Sequence, residues 1–461
     1  MKIIYLFFLV TFILINTVFY LNSPYFYDLE FIYLLPSVLL ILIYFIFKKI
    51  INRGNVDWFS IDSLFVLIFY LFHYGYLYLY FLGFQNFDSE VFWDSRYIYK
   101  SIFLLSVCCS SFLLGFFIIS QNTLLNYRKV TVFNINGIYF LSKILVFLSF
   151  LFFWLPLLSV ANLVFSDYKA LTSVGTLSPI GKLYWVGQYI GVVSLALYYL
   201  SKTILGEKFF NDLFSLIPFF YILGYFIIGD RGGFLFYSVI PLVIYNMYYK
   251  KINIKKVAFA VFFVLICSAI IATSRVESNY NPIDAYSLAQ DNKENNLLIE
   301  AISEFGKSFK TLPIVMSYIP EQYDYWYGKS YFDSFMIIFP SIFETRTSHS
   351  IAAWLTATAF GEDTYGRGGS IVMESYGNFG SIGSIFFFIS LGSISGYLYN
   401  KYRFSGSLIY AVAYVAFVSS LCLWMRNSSS VVFRTVIWAI LISWICVILS
   451  KYLPYRKWKK K

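Results

Sequence analysis

The sequence of 461 residues predicts an all-α, polytopic integral membrane protein with about twelve transmembrane helices. The first observation is composition, because 59% of residues are hydrophobic and 13% are charged, whereas roughly a quarter of a soluble chain is charged. The second is a series of apolar runs that reach the roughly 17–25 residues a spanning helix needs. They predict spans at residues 3–21, 29–47, 61–84, 98–119, 138–160, 183–200, 213–229, 233–249, 257–273, 378–399, 406–425 and 431–450.

The third observation is the placement of basic residues, which sets the orientation. With both termini in the cytoplasm, the short inner loops and the C-terminal tail hold most lysines and arginines, including the cluster from Lys250 to Lys256. The same inner segments hold few acids: Asp57, Asp62, Glu207 and Asp212. This asymmetry is typical of cytoplasmic loops. The formal charge of +11 is therefore a topology signal, and the sequence predicts no nucleic-acid partner.

The loops divide the chain into three regions. Residues 1–273 form a predicted N-terminal bundle of about nine helices, and residues 378–461 form C-terminal spans with a basic tail. Between them, residues 274–377 form a long polar segment on the outer, periplasmic face, and long connections of this kind are usually functional or disordered. Its aromatic and apolar patches argue against disorder.

Part of this outer segment has helical periodicity. Residues 297–312 place six apolar side chains on one stripe, which predicts an amphipathic helix at the membrane interface: Leu298, Ala301, Ile302, Phe305, Phe309 and Leu312. The stretches Phe335–Phe343 and Ile351–Phe360 are apolar but too short to span. They are interpreted either as re-entrant or interfacial pieces or as core segments of a small external cap.

Several residue types are assigned to packing. The five cysteines lie inside apolar runs without metal-ligand spacing, which predicts small buried hydrophobes and neither a metal nor another cofactor. His73 lies in a span among tyrosines, and Gly392 and Gly396 form a GxxxG pattern typical of close helix contact. Aromatic residues make up 23% of the chain. This content fits interfacial belts and equally an A/T-rich base composition, so it gives no evidence for sugar binding.

Common motifs of soluble enzymes are absent: the sequence contains no phosphate-binding GxxxxGK[ST] or GxGxxG loop, no HExxH and no GxSxG. Arginines near the outer ends of the spans are more informative, because topology leaves few basic residues there. They are Arg231, Arg275, Arg367, Arg426 and Arg434. Since Arg binds diphosphate bidentately and keeps its charge, the set predicts a diphosphate site. Contacts with lipid phosphates or structural salt bridges are the alternative.

Two ionisable side chains in the outer region are candidate catalytic residues. Glu374 lies at the mouth of the tenth predicted span, where an unpaired carboxylate is costly. It is predicted to act as a general base or to hold a substrate hydroxyl, with pairing to an arginine as the alternative. His349 is the only histidine in the outer region and is a second candidate base, although a lone histidine more often serves the surface or a hydrogen bond.

The outer segments resemble those of the O-antigen polymerase family, the Wzy-type polymerases of lipid-linked oligosaccharide repeat units. The most specific match runs from Gly368-Gly369-Ser370-Ile371 to Glu374-Ser375-Tyr376-Gly377-Asn378-Phe379-Gly380. Residues 327–331, read Tyr-Gly-Lys-Ser-Tyr, resemble an earlier part of the same loop. Arg231, Arg275 and Arg426 fall where such polymerases carry arginines. The resemblance covers roughly residues 220–435.

This resemblance implies a GT-C-like membrane glycosyltransferase in the bacterial inner membrane, which polymerises repeat units on its outer face. The growing glycan would be held as an undecaprenyl diphosphate, the arginines would stabilise the departing diphosphate, and Tyr376 and Asn378 would bind substrate. Implied partners are undecaprenyl-diphosphate-linked glycans, membrane lipid and a chain-length regulator.

Two other functions remain as alternatives. An O-antigen ligase has a similar plan and transfers the finished glycan to lipid A core, although the Glu374–Gly380 stretch favours the polymerase. A flippase or secondary transporter would place ionisable groups and broken helices at mid-membrane. Most spans here lack charges, and the polar residues gather in one outer loop, which favours an enzyme.

Overall fold

In the computed structural model of the chain, the described residues are 2–23, 30–51, 57–84, 95–120, 134–159, 181–228, 231–274, 297–338, 350–360 and 368–453. All regular secondary structure in these ranges is helical. The α-helices are α1 (Lys2–Leu21), α2 (Leu35–Ile51), α3 (Ile61–His73), α4 (Gly75–Phe81), α5 (Ser95–Ile119), α6 (Ile135–Ser159), α7 (Gly181–Ile204), α8 (Ile217–Ile228), α9 (Arg231–Ile244), α10 (Ile254–Ser274), α11 (Leu297–Gly306), α12 (Thr311–Tyr318), α13 (Lys329–Met336), α14 (Ile351–Phe360), α15 (Ile371–Phe404), α16 (Leu408–Trp424) and α17 (Ser430–Ser450). Short 3-10 helices precede α2, α8 and α12, and a π-helical turn, Tyr245–Tyr249, follows α9.

Among the described residues, seven helical stretches are long and apolar enough to cross a membrane. They comprise α1, α2 with its preceding 3-10 turn, α5, α6, α7, α15 and α17. The pair α3 and α4, bent by 49° at Tyr74, becomes an eighth if it is one broken span. The all-α, polytopic character is therefore confirmed. Every predicted span overlaps a described helix. However, α8 and α9, with 12 and 14 residues, are shorter than a full span, and α16, with 17 residues, only reaches the lower limit. The total of twelve stays a prediction.

The chain divides into two compact units. The first comprises Met1–Asn126, Ile302–Asn400 and Trp424–Phe433, and its most buried long helix is α5. Glycines bring α15 directly onto α5: a Cβ on Gly115 would lie 2.0 Å from the carbonyl oxygen of Ile389, and one on Gly392 would lie 2.0 Å from that of Phe112. The close packing predicted from the GxxxG pattern is confirmed, because no larger residue fits between these backbones.

The predicted amphipathic segment is helical, as α11, a 3-10 turn and α12. Within the first unit, the rings of Phe305 and Phe72 lie edge to face with centroids 5.1 Å apart. Gly306 lies so close to α4 that a Cβ would come within 2.2 Å of the Tyr76 nitrogen. The apolar stripe is thus covered by protein at the bend between α3 and α4, whereas the interfacial interpretation has it facing lipid.

The second unit comprises Tyr127–Ala301, Lys401–Leu423 and Arg434–Lys461. Its closest helix pair is α6 with α7, where a Cβ on Gly187 would lie 2.7 Å from the Phe153 nitrogen. The Asn134 amide donates to the carbonyl oxygen of Ser450 at 2.8 Å and so ties the start of α6 to the end of α17. The same unit holds Arg231 and Arg434.

Candidate functional site

The Gly-Gly-Ser sequence before α15 shapes the entry to the best-matching motif. Gly368 adopts φ +83°, a left-handed conformation that glycine reaches without strain. The Gly369 N–H donates to the carbonyl oxygen of Arg426 at 2.8 Å. The Ser370 hydroxyl accepts from the Met373 N–H at 3.0 Å, as an N-cap residue does. Glu374 consequently lies in the first turn of α15, where the helix dipole stabilises negative charge.

The Glu374 carboxylate is buried and accepts four hydrogen bonds. Its Oε1 accepts from the hydroxyls of Ser330 at 3.0 Å and Ser429 at 2.8 Å. Its Oε2 accepts from Trp424 Nε1 and from the Ser429 N–H, both at 2.9 Å. These donors fill the four acceptor positions of a carboxylate. Among the described residues no arginine contributes a bond, so Glu374 joins three chain segments through neutral donors.

Asn378 lies one turn further along α15 and fixes the loop before α13. Its Nδ2 donates to the Ser330 hydroxyl and to the carbonyl oxygen of Glu374, both at 2.7 Å. Its Oδ1 accepts from the Gly328 N–H at 3.0 Å, and its backbone oxygen accepts from the Tyr327 N–H at 2.9 Å. The amide therefore holds the backbone at Gly328 against α15.

Gly380 interrupts α15 with φ 69° and ψ −170°, a region that is essentially restricted to glycine. An added Cβ would also lie 3.0 Å from the Tyr325 ring. Nearby, the buried Tyr376 donates its hydroxyl to the carbonyl oxygen of Ile319 at 3.2 Å. The Tyr376 and Tyr325 rings lie 6.1 Å apart. The Gly380 kink thus leaves room for an aromatic loop that packs on the start of α15.

Arg426 follows α16 in the same unit and is held by Glu304 of α11. Its two terminal nitrogens donate to the Glu304 carbonyl oxygen at 3.0 Å and to the Glu304 carboxylate at 3.2 Å. Lys307 also bonds that carboxylate, at 2.7 Å. The Arg426 side chain remains 29% exposed, and the bonds to Glu304 use two of its five N–H donors. The guanidinium plane is therefore oriented but not saturated by the described residues.

The other predicted site residues are distributed as follows. Arg231 begins α9, and Arg434 lies in α17 with its guanidinium carbon 5.6 Å from the Tyr189 ring centroid; both belong to the second unit. Arg275, Arg367 and His349 lie outside the described residues. Of the predicted set, the first unit therefore brings together Glu374, Tyr376 and Asn378, and it joins Arg426 to the start of α15.

Four residues that bond to the predicted site residues were not identified from the sequence: Ser330, Trp424, Ser429 and Glu304. Single serines form no recognisable sequence motif, although Ser330 lies in residues 327–331, which resemble part of the family's outer loop. Glu304 lies in the predicted amphipathic segment 297–312 but is not one of its apolar side chains. The sequence contained one indication of such residues: a carboxylate at the position of Glu374 needs hydrogen-bond donors if it is buried.

The cysteines and His73, which were assigned to packing, lie in the protein interior. All five cysteines are buried, and His73 stacks on Phe69 with ring centroids 4.4 Å apart. Within the described ranges, no group of three or more His, Cys, Asp or Glu side chains could hold a metal ion.

Comparison with known proteins identifies the family. The family model for the O-antigen polysaccharide polymerase Wzy matches residues 3–457, nearly the whole chain. Comparisons with curated proteins and with solved structures gave no significant match. Polymerases of this family act on lipid-linked oligosaccharides in the membrane, which agrees with the helical spans and with the motif around Glu374. The chain therefore belongs to the O-antigen polysaccharide polymerase Wzy family of membrane proteins.

Proposed function

We propose that the protein joins undecaprenyl-diphosphate-linked oligosaccharide repeat units on the outer face of the bacterial inner membrane, with both termini in the cytoplasm. The observation that carries this proposal is the family match over residues 3–457. The asymmetry of basic residues supports the orientation. The product is O-antigen or a related surface polysaccharide. A GT-C-like architecture and a chain-length regulator as partner belong to the same proposal.

The reaction is a glycosyl transfer between two lipid-linked substrates. A hydroxyl of the incoming repeat unit attacks the anomeric carbon of the growing glycan and forms the new glycosidic C–O bond. The bond between that carbon and the diphosphate oxygen breaks, and undecaprenyl diphosphate leaves with the bonding electrons. The hydroxyl proton passes to a base, so atoms and charge balance.

Arginines stabilise the negative charge that grows on the leaving diphosphate. Arg231, Arg275, Arg367, Arg426 and Arg434 are proposed for this role. Arg426 has structural support, because Glu304 orients its fork at 3.0 and 3.2 Å while part of the side chain stays exposed. Planar forks of this kind bind two phosphate oxygens at once.

The hydrogen bonds of Glu374 bear on which of the two candidate bases, Glu374 or His349, takes the proton. Glu374 already accepts four hydrogen bonds, and a base must instead reach the substrate hydroxyl. We therefore assign Glu374 and Asn378 to positioning the outer loop around the substrate, and Tyr376 to packing against Tyr325 of that loop. His349 is the proposed proton acceptor, since imidazole is the side chain that most often serves as a general base.

Glycan laddering in cells that lack this protein tests the proposal. Wild type is expected to restore the ladder, and Arg426→Ala is expected to leave single repeat units on the cell surface. Glu304→Ala removes the carboxylate that orients Arg426 but keeps the backbone bond and the guanidinium, so a weaker ladder than that of wild type, but not its loss, is expected. Lys251→Ala, in an inner loop, controls for charge loss.

Three results would count against the proposal. If Arg426→Ala builds normal ladders, the arginine does not serve the diphosphate. If Glu304→Ala and Arg426→Ala both abolish the glycan ladder, the contact between the two side chains has a structural role. If deletion abolishes even single repeat units on the surface, the ligase or flippase function is favoured instead.

A further inference from the structure

The segment 321–329, which follows α12 and ends at the first residue of α13, presents aromatic rings and hydrogen-bonding groups on one exposed loop. The side chains of Tyr323 and Tyr327 are 43% and 77% exposed. Trp326 lies between them, and the neighbouring Glu321 and Asp324 are exposed as well. Aromatic area combined with a few polar groups is typical of ligand sites rather than of plain loops.

This aromatic loop is held in place from two sides. The N–H groups of Trp326 and Tyr327 donate to the carbonyl oxygens of Gly377 and Asn378, both at 2.9 Å. On its other side the rings of Tyr323 and Trp326 pack edge-on against Trp354 of α14, with centroids 5.1 and 5.9 Å away. A surface fixed in this way loses little conformational freedom when it binds a ligand.

Tyr327 has a strained backbone. Its φ is 47°, and it is the one residue other than glycine with positive φ in the described ranges. Bulky residues rarely adopt this conformation, which persists when the surroundings impose it and which concentrates at ligand clamps. Here the hydrogen bonds at residues 326–328 impose it, and the result is a tyrosine ring held out from the protein surface.

Four other exposed side chains of the same unit, called the hydrocarbon patch below, contrast with this loop. Phe332, Phe335, Ile382 and Phe386 are all more than half exposed and carry only hydrocarbon, as a lipid-facing surface does. The 321–329 loop differs, because it carries carboxylates and phenol hydroxyls. Carboxylates repel anionic lipid headgroups, but they accept hydrogen bonds from neutral hydroxyls.

We infer that residues 321–329 form a glycan-binding surface on which the rings of Tyr323 and Tyr327 pack against sugar rings of the lipid-linked repeat unit. Aromatic faces cover the C–H faces of a pyranose, while the Asp324 and Glu321 carboxylates accept from its hydroxyls. Glu374 and Asn378 act through this surface as positioning residues. The inference rests on the proposed function and specifies where its substrate glycan is held.

Binding of a lipid-free glycan tests this surface without requiring catalysis. The probe is the oligosaccharide repeat unit released by mild acid from the lipid-linked repeat units of the producing cells. Affinity is measured by titration against the full chain in phosphatidylcholine nanodiscs. Tyr327→Ala is expected to weaken binding about tenfold, as loss of an aromatic anchor does, whereas Tyr327→Phe keeps the ring and most of the affinity. Phe332→Ala, on the hydrocarbon patch, is the matched control and is expected to bind as wild type.

Kinetics with lipid-linked repeat units add a second readout. Tyr327→Ala is expected to raise KM about tenfold with kcat within about twofold, the pattern of lost ground-state binding. Wild-type glycan affinity in Tyr327→Ala would overturn the inference. It would also be overturned if Tyr327→Ala changed only the dependence on anionic lipid, which would make the loop an interfacial belt. Glycan binding without any polymer formed would instead contradict the proposed function and leave the binding surface standing.

Discussion

Among the described residues of the first unit, two carboxylates are buried, and their oxygens are satisfied in opposite ways. Glu374, at the start of α15, accepts four hydrogen bonds from neutral donors. Asp62, at the start of α3, forms an ion pair with the equally buried Lys48 of α2. Its Oδ2 also accepts from the Tyr44 hydroxyl at 2.9 Å, while Oδ1 has no hydrogen-bond partner among the described residues.

The two carboxylates therefore differ in whether their charge or the geometry of their hydrogen bonds holds them in place. Asp62 is held mainly by the charge of Lys48, so its ionisation matters more than its second oxygen. Glu374 is held by the geometry of its donors, and an uncharged side chain of the same shape can replace much of what it does. The substitutions Asp62→Asn and Glu374→Gln remove the charge and keep the side-chain length. They therefore distinguish a carboxylate that is held by an ion pair from one that is held by hydrogen bonds.

The largest effect on stability is expected at the ion pair. Asp62→Asn leaves the Lys48 ammonium buried without its counter-charge, and breaking a buried pair in this way costs about 3–5 kcal/mol. Thermal unfolding in nanodiscs measures the loss. The double variant Lys48→Met/Asp62→Leu is the control, because replacing both partners with apolar residues is often close to neutral. An Asp62→Asn protein as stable as wild type would show that the pair does not depend on charge.

The second effect is expected at Glu374. Glu374→Ala leaves the donors of Trp424 and Ser429 buried without an acceptor, which costs about 2–3 kcal/mol, and it releases the loop held through Ser330. Loss of the glycan ladder is expected. Glu374→Gln costs about 1 kcal/mol and keeps the ladder, because its oxygen accepts from Trp424 and Ser429 N–H while its amide donates to the serine hydroxyls.

This pair of variants also distinguishes positioning from catalysis. If Glu374→Gln unfolds at the wild-type temperature but makes no ladder, its ionised carboxylate takes part in the reaction. The assignment to a positioning role would then be wrong.

The smallest effect on stability is expected at Asp212 in the second unit. Its partners combine those of Asp62 and Glu374, because it contacts lysines and also accepts hydrogen bonds from neutral donors. Its side chain is 25% exposed and contacts Lys202 at 3.1 Å and Lys143 at 3.7 Å. Burial acts to raise the pKa of Asp212, but the hydrogen bonds from Tyr198, Lys202 and the Ser215 N–H outweigh it and lower the pKa from 3.8 to about 2. Because the folded-state pKa is depressed, this stabilisation is complete above about pH 4 and is lost as the pH falls toward 2.

Unfolding temperatures of wild type and Asp212→Asn between pH 6 and pH 2 measure this contribution. Wild type is expected to be more stable above pH 4, by no more than about 1 kcal/mol because the pair is screened by water, and the two curves should converge near pH 2. A difference that stays constant with pH would show that the carboxylate charge contributes nothing.

Composition and apolar runs were enough to predict the helical membrane class, because a bilayer imposes length and hydropathy on each span. The amphipathic stripe of 297–312 was also visible. Its burial was not, since periodicity shows that a face is apolar but not whether lipid or protein covers it. The bend at Tyr74 provides that cover, and no local pattern marked it.

The sequence motif predicted some residues of the site but not the hydrogen-bond partners that hold them. The motif brought Glu374, Tyr376 and Asn378 together at the mouth of the tenth predicted span, 378–399, whereas α15 begins earlier, at Ile371. Their partners come from far along the chain: Ser429 lies 55 residues from Glu374, and Arg426 lies 122 residues from Glu304. Contacts over such separations depend on how helices pack, and a single sequence holds no information about that packing.

Reconstitution tests most directly whether the protein joins lipid-linked repeat units into a polymer. The purified protein in proteoliposomes would receive undecaprenyl-diphosphate-linked repeat units as its only substrate. The account predicts a ladder of products spaced by one repeat unit, with one undecaprenyl diphosphate released for every linkage made. Products that form only after lipid A core is added, or repeat units that cross the bilayer without being joined, would contradict it.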